Sequence, residues 1–172
     1  MKKLIFLLVT IIGTIACGNS EKKNSTSGKS AALSPCEILT EAEIKNALSI
    51  PAETETTMNE KNTTYPSCYY KWKSITWEYE VMPGHMADYS AELSIVMVDH
   101  VNKEKYETSI SFYKDGQAEN GIGDMATWGE KKTQLTFLHN GTLFHVHCRT
   151  SNDATSNKVK TIKIAKLIIN KL

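Results

Sequence analysis

Apolar residues recur at helical spacing in three stretches of the chain. The first predicted helix runs from Thr40 to about Ser49: Thr40 and Glu43 form a capping-box pattern, and Pro51 ends the helix. A second helix is predicted from about Asn102 to Lys114. A third is predicted from Asn157 to Leu172, where an apolar stripe leaves lysines on the opposite face.

Between these helices, aromatic and β-branched residues alternate with polar ones, as they do in half-buried strands. Polar stretches at Glu53–Thr64 and Asp115–Asp124 are predicted loops, and Met82–His85 is predicted to break a strand run. Strands are predicted at Cys68–Trp72, Ile75–Val81, Glu92–Val98, Met125–Trp128, Leu135–His139 and Thr142–Arg149. The order helix, strands, helix, strands, helix predicts an α+β fold, with helices packed on a mostly antiparallel sheet.

The last two predicted strands flank Asn140-Gly141, a strong signal for a two-residue hairpin turn. The resulting register pairs Phe137 with Phe144 and places Cys148 on the core face. His145 and His147 then share the opposite face, where two imidazoles at this spacing are weak candidates for a metal site. His139 and Cys148 do not join them, and nothing in the sequence brings His85 or His100 to the same place. We therefore expect a polar strand face without a metal.

The N-terminus has the zones of an export signal, with Lys2 and Lys3 followed by the apolar run Leu4–Ala16. This run is shorter than the roughly 20 residues that span a bilayer. A small residue directly before Cys17 resembles a bacterial lipobox, with Thr14 where an aliphatic residue is usual. The resemblance implies a signal peptide at 1–16 and an acylated, palmitate-bearing Cys17. A plain secretory signal with an ordinary Cys17 thiol is the alternative.

Residues 17–34 are polar and are predicted to be a flexible tether, and 35–172 to be a single domain. Removal of residues 1–16 takes away Lys2 and Lys3 and changes the formal charge from +1 to −1. A nearly neutral chain has no net electrostatic attraction to nucleic acid, so we expect no nucleic-acid partner.

Three cysteines remain when Cys17 is set aside, and an exported protein can form disulfides. Cys36 directly precedes the first helix, and Cys68 begins a strand, so a bridge between them would join helix to sheet. We expect this pairing and a buried free thiol at Cys148. Pairing with Cys148 is the alternative.

Motifs of catalysis are missing from the sequence, which has no nucleophile elbow and no His-Glu-x-x-His. Gly121–Asp124 leads into a strand and not into a helix, so it is interpreted as a turn and not as a phosphate loop. Asp124 is expected to bind local backbone amides. His147 and Cys148 are strand neighbours that point to opposite faces, which argues against a cysteine nucleophile. We expect no enzymatic activity and no cofactor.

The sequence contains three short motifs: a Cys-x-x-Leu-Thr helix start at Cys36–Thr40, a Cys-x-Tyr strand at Cys68–Tyr70 and a Gly-x-Gly-Asp-x-Ala turn at Gly121–Ala126. Their order is similar to that in a group of small secreted bacterial lipoproteins with a domain of unknown function. The chain resembles this group over about Pro35–Leu172. The resemblance implies an exported, lipid-anchored α+β domain with its two motif cysteines often bridged and no established catalytic residues.

These features together predict a lipoprotein of the bacterial cell envelope, on the outer membrane, that acts as a non-enzymatic binding or interaction module. Its partners are the membrane, through acylated Cys17, and an unidentified protein or small molecule. The contact surface is expected on a sheet face or on the loop around Met82–Ala87. An envelope enzyme with dispersed active-site residues and a metal-handling lipoprotein using His145 and His147 are the alternatives.

Overall fold

The structure, a computed structural model, describes residues 33–172. The predicted signal peptide at 1–16, the acylated Cys17 and nearly all of the predicted tether lie outside the described residues. The elements are α1 (Glu41–Leu48), β1 (Thr57–Lys61), β2 (Ser67–Met82), β3 (His85–Val98), α2 (Lys103–Ile110), β4 (Gly116–Ala118), β5 (Met125–Gly129), β6 (Gln134–His139), β7 (Thr142–Arg149) and α3 (Ala154–Ile169).

All seven strands form one sheet in the order β1-β2-β3-β7-β6-β5-β4, and every neighbouring pair is antiparallel. The predicted α+β class with a mostly antiparallel sheet is confirmed. The C-terminal hairpin β6–β7 has the expected register, with Phe137 opposite Phe144 and Leu135 opposite Val146. Because β7 also pairs with β3, this hairpin joins the two halves of the sheet.

The detailed order of elements differs from the prediction in the number and the bounds of the strands. β1 and β4 lie in stretches predicted to be loops. Every residue of both strands is exposed, so neither shows the apolar alternation that marks a strand in sequence. They are edge strands held by backbone pairing, and such pairing leaves no hydrophobic pattern.

Two predicted strands, Cys68–Trp72 and Ile75–Val81, are one strand, β2, with an irregularity between Trp72 and Thr76. The Met82–His85 segment does not end the sheet, because it is the turn that joins β2 to β3. Pro83 and Gly84 occupy the loop, and Gly84 has φ +76°, which suits the glycine position of a type II turn.

Helix ends are set by side-chain caps. The capping box of α1 is confirmed: the Glu43 backbone N–H donates to the Thr40 hydroxyl at 3.3 Å, and the Thr40 N–H donates to the Glu43 carboxylate at 2.9 Å. α3 begins earlier than predicted, at Ala154, because the Asp153 carboxylate accepts two first-turn N–H groups. α2 ends at Ile110, four residues before the predicted Lys114.

The main core lies between one face of the sheet and the helices α1 and α3. Trp72, Trp128, Phe137 and Phe144 are its largest fully buried members. A smaller cluster beneath α2 contains Val101, Tyr106, Leu138 and Leu143. Within residues 33–172, no helix is long and apolar enough to cross a membrane.

Cys36 and Cys68 form a disulfide, which confirms the predicted bridge. The bridge closes a loop of sequence separation 32 and fastens the chain before α1 to the start of β2. Ser34 lies at the same end of the sheet, where its hydroxyl donates to the Glu60 carboxylate of β1 at 2.6 Å. Cys148 is a buried free thiol on the core face, as expected.

Candidate interaction surface

The outer half of the β2–β3 hairpin extends past the rest of the sheet. β1 pairs with β2 only as far as Lys71, and β7 pairs with β3 only as far as Glu92. Among residues 33–172, Thr76–Glu80 therefore pair only with Met86–Ser90. This segment, residues 76–90, is called the exposed hairpin below, and no other described strand pairs with either of its edges.

An insertion in β2 separates the exposed hairpin from the body of the sheet. Trp72 lies opposite Ala91, and Thr76 lies opposite Ser90, so three extra residues stand on β2 against none on β3. Bulges of this kind bend and twist a strand and re-aim its side chains. The insertion therefore marks the point at which the hairpin leaves the sheet.

One face of the exposed hairpin contacts the protein body. Trp77 packs against the main core, and its ring centroid lies 5.5 Å from that of Tyr89. The Arg149 guanidinium lies over the rings of Tyr79 and Tyr89, at 4.1 Å and 4.8 Å from their centroids. Asn152 also donates to the backbone carbonyl of Glu78 at 2.7 Å. These contacts fasten the base of the hairpin and leave its far end exposed.

Apolar side chains surround the turn at the far end of the hairpin. Val81, Met82 and Met86 are 52%, 59% and 55% exposed. The Glu80 carboxylate accepts from the backbone N–H of Gly84 at 2.8 Å and so holds the turn. Three large apolar side chains are therefore exposed around one turn. These three residues are called the hairpin tip below.

The sheet face opposite the main core carries a polar group centred on His147. Its Nδ1 lies 3.0 Å from each of two backbone carbonyl oxygens, and its Nε2 lies 3.2 Å from the Glu92 carboxylate. All three partners are hydrogen-bond acceptors. Tyr89 donates to the same carboxylate oxygen at 2.7 Å. The hydrogen bond from His147 lowers the pKa of Glu92. Burial acts to raise this pKa, and the hydrogen bond from Tyr89 lowers it further.

His145 lies on the same face, as strand alternation predicts, but in a different environment. Gln134 donates to the Tyr113 hydroxyl, and Thr136 lies 2.7 Å from both the Tyr113 hydroxyl and His145 Nδ1. Burial, with a smaller contribution from the charge of Lys132, lowers the pKa of His145. The ring is therefore neutral at pH 7 and bound into a side-chain network.

The two histidines have no metal-binding arrangement around them. Both ring nitrogens of His147 face protein acceptors, and His145 Nδ1 is engaged by Thr136 and Gln134. In the part of the chain that the structure describes, no group of three or more histidine, cysteine or acidic side chains is placed to hold a metal ion. His85 lies at the hairpin turn and His100 precedes α2, so neither joins the pair.

The Gly121–Asp124 turn is built against the β6–β7 hairpin. Asp124 accepts from the backbone N–H of Asn140 at 3.0 Å, and its own N–H donates to the Leu138 carbonyl at 2.8 Å. Asp124 thus binds a backbone amide as expected, but the prediction that this amide is local is wrong, because Asn140 is 16 residues away. A Cβ on Gly123 would lie 2.3 Å from the Leu138 carbonyl oxygen, so this position requires glycine.

Two cavities of about 460 and 430 Å³ lie beside α1, and the first is lined by the ion pair Glu41 and Lys45. A cavity of about 300 Å³ is lined by Glu55, Lys73 and Ser74. Another, of about 230 Å³, lies on the open sheet face and places Ser94 near His147, but both nitrogens of this imidazole are engaged by Glu92 and two backbone carbonyls. Burial raises the pKa of the Cys148 thiol to about 12, so this sulfur is not a thiolate at neutral pH.

Aromatic residues of β2 divide between the core and the surface. Tyr70 and Trp72 are buried, whereas Tyr69 and Tyr79 are exposed. Sequence reasoning named the Met82–Ala87 segment as a contact surface but interpreted it as a break and not as a hairpin turn. The missed signal is Pro-Gly between two alternating segments, a typical turn pair.

Comparison of the chain with protein-family models, with curated proteins and with solved structures gives no match.

Proposed function

We propose that this protein is a lipid-anchored module of the bacterial cell envelope that binds a partner through its exposed hairpin and catalyses no reaction. The observation that carries the proposal is the hairpin tip, where Val81, Met82 and Met86 are each more than half exposed. Exposure of large apolar side chains to water is unfavourable, and their burial beneath a partner is favourable.

The disulfide and the hairpin tip lie at opposite ends of β2. Cys36 is bridged to the start of β2, and the hairpin tip lies at the end of the same strand. Cys68 and Met82 are 14 positions apart, which corresponds to at most ~45 Å of strand. An acylated Cys17, joined by a tether of about 20 Å typical reach, would hold the domain at a membrane surface.

The family resemblance and the localisation belong to the same proposal. The three cysteine and glycine motifs, the export signal and the small residue before Cys17 favour a secreted bacterial lipoprotein on the outer membrane. A non-enzymatic role is supported by the engaged histidines and the buried Cys148. Each group that sequence reasoning considered for catalysis has a structural partner or is inaccessible.

Affinity capture from envelope extract tests the proposal, with the full chain as bait. The test variant is Val81→Ser/Met82→Ser/Met86→Ser, and the control is Phe112→Ser, which removes an apolar side chain that is 74% exposed elsewhere on the surface. We expect a captured protein that is lost with the tip variant and retained with the control. Capture that is equal for both variants would contradict the proposal.

Localisation needs a separate measurement, because a soluble exported protein could use the same hairpin. Mass spectrometry of the membrane fraction is expected to show acyl chains on Cys17. An unmodified Cys17 thiol in that fraction would reject the lipid anchor and leave the hairpin proposal standing.

A further inference from the structure

Paired positions place three carboxylates on one face of the exposed hairpin. Glu78 lies directly opposite Asp88, and Glu80 follows two positions along β2 on the same face. All three side chains are exposed. Glu80 holds the Gly84 N–H, but in residues 33–172 neither Glu78 nor Asp88 has a cation at ion-pair distance.

The Glu78–Asp88 pair weakens the hairpin that carries it. Like charges directly opposite each other on two strands are destabilising, and a two-stranded ribbon has little stability of its own in water. The opposite face of the hairpin contacts a cation, because the Arg149 guanidinium lies over the rings of Tyr79 and Tyr89. Within residues 33–172, Glu78 and Asp88 on the acidic face have no cation at ion-pair distance. A basic partner would neutralise their charges.

The backbone of the exposed hairpin determines the form that such a partner takes. No strand of the described residues pairs with the outer edges of the hairpin over residues 76–90, although Asn152 occupies the Glu78 carbonyl of β2. An extended segment can add to the unpaired edge of β3 through main-chain hydrogen bonds. Successive side chains of an added strand point to opposite faces. One set would lie beside Glu78 and Asp88, and the other beside Tyr79 and Val81.

We propose that the exposed hairpin binds an extended segment of a partner protein in which basic and apolar residues alternate. The basic side chains pair with Glu78, Glu80 and Asp88, and the apolar side chains extend the surface formed by Tyr79 and Val81. The inference rests on the proposed function, since it specifies the partner of the same surface. The inference is based on charge complementarity and on the difference between the acidic face and the apolar face of the exposed hairpin.

Binding of a short peptide of alternating lysine and valine to the full chain, followed by fluorescence polarisation, tests the inference. The test variant is Glu78→Gln/Asp88→Asn. The matched control is Glu104→Gln/Glu107→Gln on α2, which changes the net charge by the same amount. We expect roughly tenfold weaker binding for the hairpin variant and little change for the control, because the interaction depends on local charge.

Thermal unfolding separates lost binding from lost structure. Glu78→Gln/Asp88→Asn removes a repulsive pair, so its melting temperature is expected to equal or exceed that of the wild type. A peptide of alternating glutamate and valine is expected not to bind. The inference is overturned if both peptides bind equally, if the lysine peptide does not bind, or if the α2 control loses as much affinity as the hairpin variant.

These outcomes are distinguishable from failure of the proposed function. If the captured envelope protein depends on the hairpin tip while the lysine–valine peptide does not bind, the hairpin is the interaction surface and the partner chemistry is wrong. If the tip variant also retains the captured protein, the proposed function fails as well.

Discussion

His147 and Glu92 are joined across neighbouring strands, with His147 Nε2 3.2 Å from the Glu92 carboxylate on the half-buried face of the sheet. The same carboxylate oxygen accepts from Tyr89, a residue of the exposed hairpin. The pair therefore links the body of the sheet to the base of the hairpin. The hydrogen bond from His147 lowers the pKa of Glu92.

The lowered pKa of Glu92 predicts a loss of stability in acid. A carboxyl whose pKa is lower in the folded state stabilises the fold above its unfolded pKa, and this contribution disappears as the pH falls through the folded value. Glu92→Gln is expected to cost about 1 kcal/mol at pH 7 and less than that below about pH 4. Urea unfolding at a series of pH values measures this. An equal cost at both pH values would contradict the role assigned to the ionised carboxylate.

Removal of the Cys36–Cys68 disulfide is predicted to destabilise the protein. Cys36→Ser/Cys68→Ser is expected to lower the free energy of unfolding by about 2 to 4 kcal/mol, because the unfolded chain regains the freedom of the closed loop. Chemical denaturation without reductant gives the value. As a control, dithiothreitol should destabilise the wild type and leave the double variant unchanged. Equal sensitivity of the two proteins to the reductant would show that this bridge is not the stabilising one.

The Cys148 thiol is expected to be unreactive while the protein is folded. It is fully buried, and burial raises its pKa to about 12, so neither access nor ionisation favours alkylation. Iodoacetamide followed by mass spectrometry should modify it only in denaturant. Rapid alkylation of Cys148 in the native protein would contradict its placement in the core.

Two glycines of one turn are predicted to respond differently to alanine. Both have positive φ, at +73° for Gly121 and +54° for Gly123, but only Gly123 lacks room for a Cβ. Gly121→Ala is expected to cost about 1 kcal/mol from backbone strain. Gly123→Ala should cost more, about 2 to 4 kcal/mol, because the Leu138 carbonyl must also move. Melting temperatures rank the two variants, and similar values would contradict the close approach.

Sequence reasoning predicts those parts of the fold in which burial leaves a pattern. Leu135, Phe137, Phe144 and Val146 alternate with polar neighbours, so the register of their hairpin could be predicted. β1 could not, because all five of its residues are exposed and its strand pairing depends on the backbone alone. Edge position is a tertiary property that local sequence does not encode.

The sequence predicts the position of the candidate interaction surface along the chain, around Met82–Ala87, but not its structure. Alternation indicates strands on both sides of Met82, but it does not reveal that β2 carries three extra residues opposite none on β3. Nor does it place Arg149, some 60 positions from Tyr89, over that ring. The insertion is visible only in the register of β2 against β3, and the Arg149 contact depends on the long-range pairing that brings β7 beside β3.

Photo-crosslinking in intact cells tests the central claim, that the hairpin tip contacts a partner. A photoreactive amino acid placed at Met86 of the full chain is compared with the same amino acid placed at Phe112, since both positions are exposed. The account predicts a discrete crosslinked adduct from Met86 and none from Phe112. The absence of an adduct at Met86, or the same adduct at both positions, would contradict it.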